Sequence, residues 1–96
     1  MRGERREAKL DQARPVKNSG RGERKGDAVL NNQFLIDYKH NAKSFVLSKK
    51  NWDKHAKDAW NDGHYEPLIK VIFDDNSAVA IIEWNTFKEF LNDNGN

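Results

Sequence analysis

Two aspartates and one lysine in the first half of the chain have the residue types and spacing that metal-assisted chemistry needs. Residues 34–38 are typical of a β-strand, and side chains two positions apart on a strand share a face, so Asp37 and Lys39 point the same way. Asp27 ends a glycine-containing turn shortly before that strand and can lie beside it. Carboxylates hold a hard cation such as Mg²⁺, and an ammonium group orients the attacking water and neutralises developing charge. The three residues therefore predict metal-assisted phosphodiester hydrolysis.

The face that carries these groups is expected to be partly buried, because Leu35 shares it with Asp37 and Lys39. An acid and a lysine are costly to bury together unless they form an ion pair or bind a metal. The pattern therefore favours a paired or metal-bound arrangement over two unrelated surface charges.

Apolar periodicity and turn residues predict three helices and five strands. A first helix over residues 3–13 ends before Pro15, and residues 17–27 form a polar loop. Asn31 and Asn32 form the turn of a hairpin. The predicted strands are Ala28–Leu30, Phe34–Lys39, Ser44–Leu47, Pro67–Phe73 and Ala78–Trp84.

Two further helices follow from capping signals. Ser48 or Asn51 caps a helix that stops at Gly63, and Thr86 with Glu89 forms a capping box for the last one. The residues expected to pack these helices on the sheet are Trp52, Ala56, Ala59 and Trp60 in the first, and Phe87, Phe90 and Leu91 in the second. Stacking of the tryptophans on unpaired bases is the alternative.

The predicted order, α-β-β-β-α-β-β-α, indicates an α/β or α+β fold with one mixed sheet of about five strands flanked by helices. The 96 residues are expected to form a single domain. Within it, residues 1–25 form a basic helix and loop, and residues 92–96 form a frayed tail.

Charge is distributed unevenly along the chain. Residues 1–25 contain nine Lys and Arg and four acids, a net charge of +5, whereas the remaining residues, with eight bases and eleven acids, carry −3. A basic arm on an acidic body is typical of a protein that binds a polyanion such as nucleic acid. A solvated basic tail is the alternative.

Composition excludes several classes of protein. The chain has no cysteine, so it has neither disulfides nor thiolate zinc sites, and it has no apolar stretch of the length a membrane span needs. His40, His55 and His64 lack the spacing of zinc ligands, and surface or helix-end positions are expected for them. Residues 74–76 are interpreted as a hairpin turn in preference to a calcium site. A cytoplasmic protein of a bacterium or a phage-infected host cell is expected.

The motifs together resemble the PD-(D/E)XK nuclease family, with Asp27 as the first acid and Asp37-Tyr38-Lys39 as the D/E-x-K element. Within that family, residues 4–73 look like the small phage and archaeal Holliday-junction resolvases. Two positions depart from the pattern, because Asp37 stands where Glu is commoner and Gly26 stands where the motif has proline. The matching segments are Arg6–Leu10, Ser19-Gly20, Lys25-Gly26-Asp27, Asp37-Tyr38-Lys39, Ser44-Phe45, the helix through Ala59, and Pro67-Leu68-Ile69.

The resemblance implies a restriction-endonuclease-like α-β-β-β-α-β core and a role for each matching residue. Asp27 and Asp37 would bind Mg²⁺ or Mn²⁺, with the Tyr38 carbonyl as a further ligand, and Lys39 would position the water. Glu7, or Glu4 on the same helix, would complete the site. The residues expected to contact DNA are Arg14, Lys17, Ser19, Gly20, Arg21, Arg24, Lys25 and His40. For Ser19, the resemblance favours a phosphate contact, whereas the sequence alone favours a turn residue.

The expected function is therefore a metal-dependent endonuclease selective for branched DNA, most simply a Holliday-junction resolvase without a small-molecule cofactor. A general nickase or exonuclease and a non-catalytic nucleic-acid-binding module are the alternatives. A homodimer is expected, because symmetric resolution needs two cuts and the chain carries one site. Its interface is expected at Ala78–Ile82 and the face of Phe87, Phe90 and Leu91, although these residues could equally form the core of the monomer.

Overall fold

The computed structural model describes residues 8–15 and 27–94, which form an α+β fold around one five-stranded mixed sheet. A helical turn at residues 8–10 precedes the sheet. The strands are β1 (Arg14–Pro15), β2 (Ala28–Leu30), β3 (Phe34–Ala42), β4 (Glu66–Phe73) and β5 (Ala78–Ile82). The helices are α1 (Lys49–Gly63) and α2 (Trp84–Asn94).

Strand order in the sheet follows chain order, β1-β2-β3-β4-β5. Neighbouring strands are antiparallel except for β3 and β4, which are parallel. A parallel pair needs a crossover connection, and α1 provides it. The expected α+β class and mixed sheet of five strands are confirmed, with a helical segment, three antiparallel strands, a helix and a parallel strand in the expected order.

The hairpin between β2 and β3 forms as predicted. Asn31 and Asn32 have φ angles of 59° and 54°, and the backbone N–H of Gln33 donates to the Leu30 carbonyl. Asparagine is one of the few residues that adopts positive φ readily, and a turn with two such residues matches the twist of antiparallel strands. This turn sets the register in which Ala28 pairs with Ile36 and Val29 pairs with Leu35.

Each side of the sheet has its own apolar cluster. On the side covered by α1, here called the α1 face, Val29 and Leu35 pack with Ala59 and the ring of Tyr65. On the opposite side, called the N-terminal face, Ala8 and Ala13 from the start of the chain cover the sheet. The sheet residues buried on that second side are Ala28, Ile36, Tyr38 and Ile72.

Helix α1 begins as predicted, because the Ser48 hydroxyl accepts a hydrogen bond from the Asn51 N–H. Its packing differs from the prediction. His55, expected at the surface, is buried, and its Nε2 lies 3.0 Å from the Leu35 carbonyl and 3.1 Å from the Leu68 carbonyl. Both neighbours are acceptors, so Nε2 carries the proton and donates, which joins α1 to β3 and β4. Trp52 is half-buried, but Trp60 is 60% exposed, so the predicted packing of Trp60 is wrong.

The end of α1 is shaped by the sequence Gly63-His64-Tyr65. His64 takes the left-handed conformation (φ 60°), and its N–H donates to the Trp60 carbonyl, as a helix C-cap does. A β-carbon on Gly63 would lie 2.8 Å from the Tyr65 ring. Glycine is therefore needed at this position so that Tyr65 can fold back onto the Val29–Leu35–Ala59 cluster.

The predicted third strand, Ser44–Leu47, is wrong. Strand β3 extends to Ala42, and residues 43–48 form a loop in which Val46 and Leu47 are exposed. Strand β2 pairs with β3 over residues 34–36 and β4 pairs with it from Phe34 to Ala42, while residues 43–48 connect β3 to α1. The third antiparallel strand is instead β1, which pairs with β2.

The start of the chain also differs from the prediction. The helix ends at Leu10, and Ala13 and Arg14 lie outside it, because Gln12 takes a positive φ of 59° and turns the backbone into β1. The predicted helical residues 3–7 and the predicted loop over residues 17–26 lie outside the described residues. The prediction of a frayed tail over residues 92–96 is wrong for residues 92–94, because α2 continues to Asn94.

The predicted capping box and packing of α2 are wrong as well. The helix begins at Trp84, so Thr86 lies inside its first turn, where its Oγ1 is 3.0 Å from Glu66 Oε1 and 3.2 Å from Glu83 Oε1. This contact joins α2 to the start of β4. Phe87, Phe90 and Leu91 do not take the buried positions that their spacing predicts, and they are 37–50% exposed.

The predicted turn at residues 74–77 is confirmed between β4 and β5. The Ser77 hydroxyl and backbone N–H donate to Asp75 Oδ1 over 2.6 Å and 3.0 Å, and these bonds lower the pKa of Asp75 below its ordinary value. Asp74 pairs with Lys43 over 3.2 Å. The carboxylate groups of this turn thus organise the connection itself.

A charged cluster fastens the start of the chain to the N-terminal face. Lys70 Nζ lies 2.9 Å and 3.1 Å from the two carboxylate oxygens of Asp11, and the Tyr38 hydroxyl donates to Asp11 Oδ2 over 3.0 Å. The Asp11 and Lys70 side chains are only 24% and 21% exposed. The charges are therefore less screened by water than those of a surface pair.

We expect Asp11→Asn to lower the free energy of unfolding by about 1–3 kcal/mol, because it removes the counter-charge that Asp11 provides to the partly buried Lys70 ammonium. Urea denaturation measures this difference. Asp53→Asn is the matched control, since Asp53 pairs with the largely exposed Lys49, and it should cost less than about 0.5 kcal/mol. Equal reductions in the two variants would contradict a special role for the Asp11 cluster.

Candidate active site

The register of the β2–β3 hairpin brings the two predicted carboxylates together. Ala28 pairs with Ile36, and continuing this antiparallel register by one residue places Asp27 opposite Asp37. Directly opposite residues of such a pair point to the same face, with Cβ atoms about 4.5–5.5 Å apart. Two residues that are ten positions apart in the chain thus become neighbours because of a tight turn at Asn31 and Asn32.

Lys39 lies on the same face as the two aspartates. Its Nζ is 3.3 Å from Asp37 Oδ2, so the predicted neighbours form an ion pair. The Lys39 side chain is 45% exposed and that of Asp37 is 27% exposed, while Asp27 is buried. The cluster therefore reaches from a buried carboxylate to a solvent-accessible ammonium group.

The surroundings of the cluster are apolar on the side of β4. Ile69 and Val71 pair with Asp37 and Lys39 across the parallel strands, and both are buried. Val29 and Leu35, two residues from Asp27 and Asp37 along their strands, lie in the apolar cluster beneath α1. Charges beside such a wall interact more strongly than charges in water.

Tyr38, between Asp37 and Lys39, has its side chain on the N-terminal face. The ring is buried there, and its hydroxyl donates to Asp11. The strand is therefore held on one face by the Tyr38–Asp11–Lys70 contacts while it presents Asp37 and Lys39 on the other. A metal-binding role for the Tyr38 carbonyl stays a prediction.

Of the predicted DNA contacts within the described residues, neither lies in the carboxylate cluster. His40 follows Lys39 on β3, at the point where the pairing of β3 with β4 shifts in register. Arg14 is exposed on β1, where its Nη2 donates to the Tyr65 hydroxyl over 3.3 Å. The other predicted site residues, which are Glu7, Lys17, Ser19, Gly20, Arg21, Arg24 and Lys25, lie outside the described residues.

The donor set of Asp27 and Asp37 fits a magnesium ion. Mg²⁺ is usually held by one or two carboxylates and keeps several waters, which substrate phosphates can replace. Among residues 8–15 and 27–94, no group of three or more His, Cys, Asp or Glu side chains is arranged to hold a metal. The described residues therefore supply two carboxylates for such an ion, and the third that the resemblance implies, Glu7, lies outside them.

No family model, curated protein or solved structure matches this chain in comparisons with known proteins. In the part of the chain that the structure describes, no helix has the length and apolar character to cross a membrane.

Three residues that hold the strands of the site in place were not predicted from the sequence. His55 contacts the carbonyl of Leu35, two residues before Asp37, and Asp11 and Lys70 hold the Tyr38 side chain. The spacing of His55 and Ala59, four residues apart on one helix face, could have indicated that His55 faces the sheet. The Asp11–Lys70 pair joins residues 59 positions apart and had no local signal.

Proposed function

We propose that this protein is a metal-dependent, structure-selective DNA endonuclease, with a Holliday junction as its preferred substrate. The observation that carries the proposal is the hairpin register, which places Asp27 opposite Asp37 on the face where Lys39 pairs with Asp37. Two carboxylates and one lysine that are neighbours at the β2–β3 pair, where solvent reaches the lysine, suit hydrolysis of a phosphodiester bond.

Asp27 and Asp37 would hold Mg²⁺, or Mn²⁺ in its place. When bound, the ion would act as a Lewis acid toward the phosphate and lower the pKa of a coordinated water. The buried position of Asp27 and the apolar side chains of Ile69 and Val71 keep bulk water away from one side of this cluster. That environment strengthens the attraction between the carboxylates and a cation.

Lys39 supplies the positive group of the site. Its ammonium lies 3.3 Å from Asp37 and remains partly exposed, so it can donate a hydrogen bond to the attacking water or to a phosphate oxygen. In either position it would offset negative charge that develops on the phosphate in the transition state. The Asp37 carboxylate holds this lysine close to the reacting group.

DNA as the substrate is supported by the charge distribution. Residues 1–25 carry a net charge of +5 and are followed in the sequence by Gly26 and Asp27, so the basic segment is adjacent along the chain to one carboxylate of the cluster. A phosphate backbone would be attracted to this arm and guided to the site. We place the protein in the cytoplasm of a bacterium or a phage-infected cell, where such DNA is found.

Two other functions remain as alternatives. A general nickase or exonuclease would use the same residues on other DNA, and a non-catalytic nucleic-acid-binding module would keep the basic arm without turnover. The test is incubation with a labelled four-way junction and a matched linear duplex, each with and without Mg²⁺. Metal-dependent nicks confined to the junction support the resolvase, cleavage of both substrates favours the general nuclease, and binding without cleavage favours the module.

Asp37→Asn should lower the cleavage rate at least about 100-fold while junction binding is kept or tightened. The amide keeps the shape of the side chain but removes the charge that holds the cation and that repels phosphate. Single-turnover cleavage and a binding titration separate the two effects. Asp53→Asn, an exposed aspartate on α1, is the control and should cleave normally. Normal turnover by Asp37→Asn would rule out the assigned site.

Neutralising Lys17, Arg21 and Arg24 together with glutamine should weaken binding to every DNA equally. It should also reduce the slope of log K against log salt by about 0.9 for each phosphate that the variant no longer neutralises. Binding measured over a range of salt concentrations gives this slope. Lys49→Gln on α1, where Lys49 pairs with Asp53, should leave the slope unchanged. If the triple variant has the wild-type slope, the arm is a solvated tail.

We also propose that the active species is a homodimer. The exposed large apolar residues of the C-terminal part are close together in the sequence, between Val79 and Leu91. Strand β5 lies at the edge of the described sheet. Trp84, Phe87 and Phe90 are 37–67% exposed, and two copies of these rings offer on the order of 600 Å² for burial. A four-way junction has two-fold symmetry, and two copies would place two sites on it.

Sedimentation equilibrium at micromolar protein should give twice the monomer mass of 11.1 kDa. Phe87→Ser with Phe90→Ser should shift the mass to that of the monomer, because polar side chains remove the apolar contact. Val46→Ser is the control, since Val46 is exposed in a different loop. A wild-type mass that stays at 11.1 kDa with junction cleavage intact, and with no dimer on DNA, would exclude the proposed homodimer.

A further inference from the structure

Trp60 is placed at the surface although its helical spacing predicts a buried position. Ala59, its neighbour in the chain, is fully buried against Val29 and Leu35, while 60% of Trp60 remains accessible. The indole is among the largest apolar groups that a protein can expose. Since Ala59 and His55 join α1 to the sheet, packing of the helix does not account for a tryptophan at this position.

The ring of Trp60 is held in a defined orientation. It stacks on the His64 imidazole with a centroid separation of 3.9 Å and an interplanar angle of 29°. The backbone of His64 is fixed, because it is the left-handed C-cap of α1 and its N–H donates to the Trp60 carbonyl over 2.8 Å. One face of the indole is therefore covered by the imidazole, and the accessible area lies on the rest of the ring.

This stacked pair lies on the same side of the sheet as the proposed active site. Helix α1 covers the face that carries Asp37 and Lys39, and its C-terminal end lies where β3 and β4 begin, since Phe34 pairs with Glu66. Asp37 is three residues beyond Phe34, about 10 Å along the strand.

A cationic side chain contacts the residue that follows the pair in the sequence. Arg14 donates to the hydroxyl of Tyr65, the residue that follows His64, so its exposed guanidinium is held at the same end of α1. An aromatic surface next to an arginine is the combination that binds single-stranded nucleic acid, because the ring stacks on a base and the cation contacts phosphate.

We propose that Trp60, supported by His64, is a stacking site for one unpaired nucleobase of the DNA substrate. This inference rests on the proposed function in one respect, which is that the protein binds DNA, and it does not depend on cleavage. It specifies the substrate further, because a stacking site recognises a base that is displaced from its pair, as at the centre of a branch. A fully paired duplex offers no such base.

The test measures DNA binding by the non-cleaving variant Asp37→Asn without metal, so that cleavage of the DNA does not affect the measured affinity. Adding Trp60→Ala should weaken affinity for a short oligothymidylate and for a junction by about 5- to 150-fold, the range that one base stack supplies. Affinity for a paired duplex of equal length should change less than two-fold. Trp60→Phe should retain most of the affinity, because phenylalanine also presents an aromatic face. Val46→Ala, which removes an exposed apolar side chain outside the proposed site and the dimer interface, should bind as its parent does.

A spectroscopic measurement tests contact directly. In a variant with Trp52→Phe and Trp84→Phe, Trp60 is the only tryptophan, and its fluorescence should be quenched by oligothymidylate and much less by duplex. Unchanged fluorescence at saturating oligothymidylate, or an equal decrease in affinity for all DNA after Trp60→Ala, would overturn the proposal. Should the wild-type protein fail to cut any DNA while these effects persist, the proposed nuclease is wrong and the stacking site stands.

Discussion

Strand β3 is paired along both of its edges, and this double pairing governs where the other elements lie. Antiparallel pairing with β2 involves residues 34–36 of this strand, and parallel pairing with β4 extends from Phe34 to Ala42. The parallel pair requires the crossover that α1 makes, and the antiparallel pair requires the tight turn at Asn31 and Asn32. The positions of the carboxylates, the helix and the N-terminal segment all follow from these two pairings.

The same strand carries a charged group on each face, and the two groups have different roles. On the N-terminal face, Tyr38 joins the Asp11–Lys70 pair, in which both charged side chains are mostly buried. On the α1 face, Lys39 is more exposed than Lys70 (45% against 21%), and its partner Asp37 lies opposite Asp27. A charge pair away from solvent serves to hold elements together, whereas one that solvent reaches can exchange its partner for a ligand. This contrast is why we assign chemistry to the second group.

Three aromatic groups that the sequence pattern would bury are left at the surface. Trp60 stacks on His64 beyond the packed face of α1, and the rings of α2 lie beside the edge strand β5. A five-stranded sheet with one long helix on one face has limited apolar area to cover. We therefore attribute the exposed rings to contacts outside the chain, a displaced base for Trp60 and a second copy for α2.

Local sequence patterns were sufficient to predict the strand periodicity, the Asn31-Asn32 turn, the Ser48 cap and the shared face of Asp37 and Lys39, because each depends on neighbours within a few residues. From these, the mixed sheet and the approach of Asp27 to Asp37 could be predicted. Long-range packing, by contrast, determines that Arg14 and Pro15 form the third antiparallel strand, that His55 is buried and that Trp60 is exposed. It also brings Asp11 to Lys70, 59 positions away. Those outcomes depend on which edges and faces of the sheet are already occupied, and that competition between distant segments has no local signal in the chain.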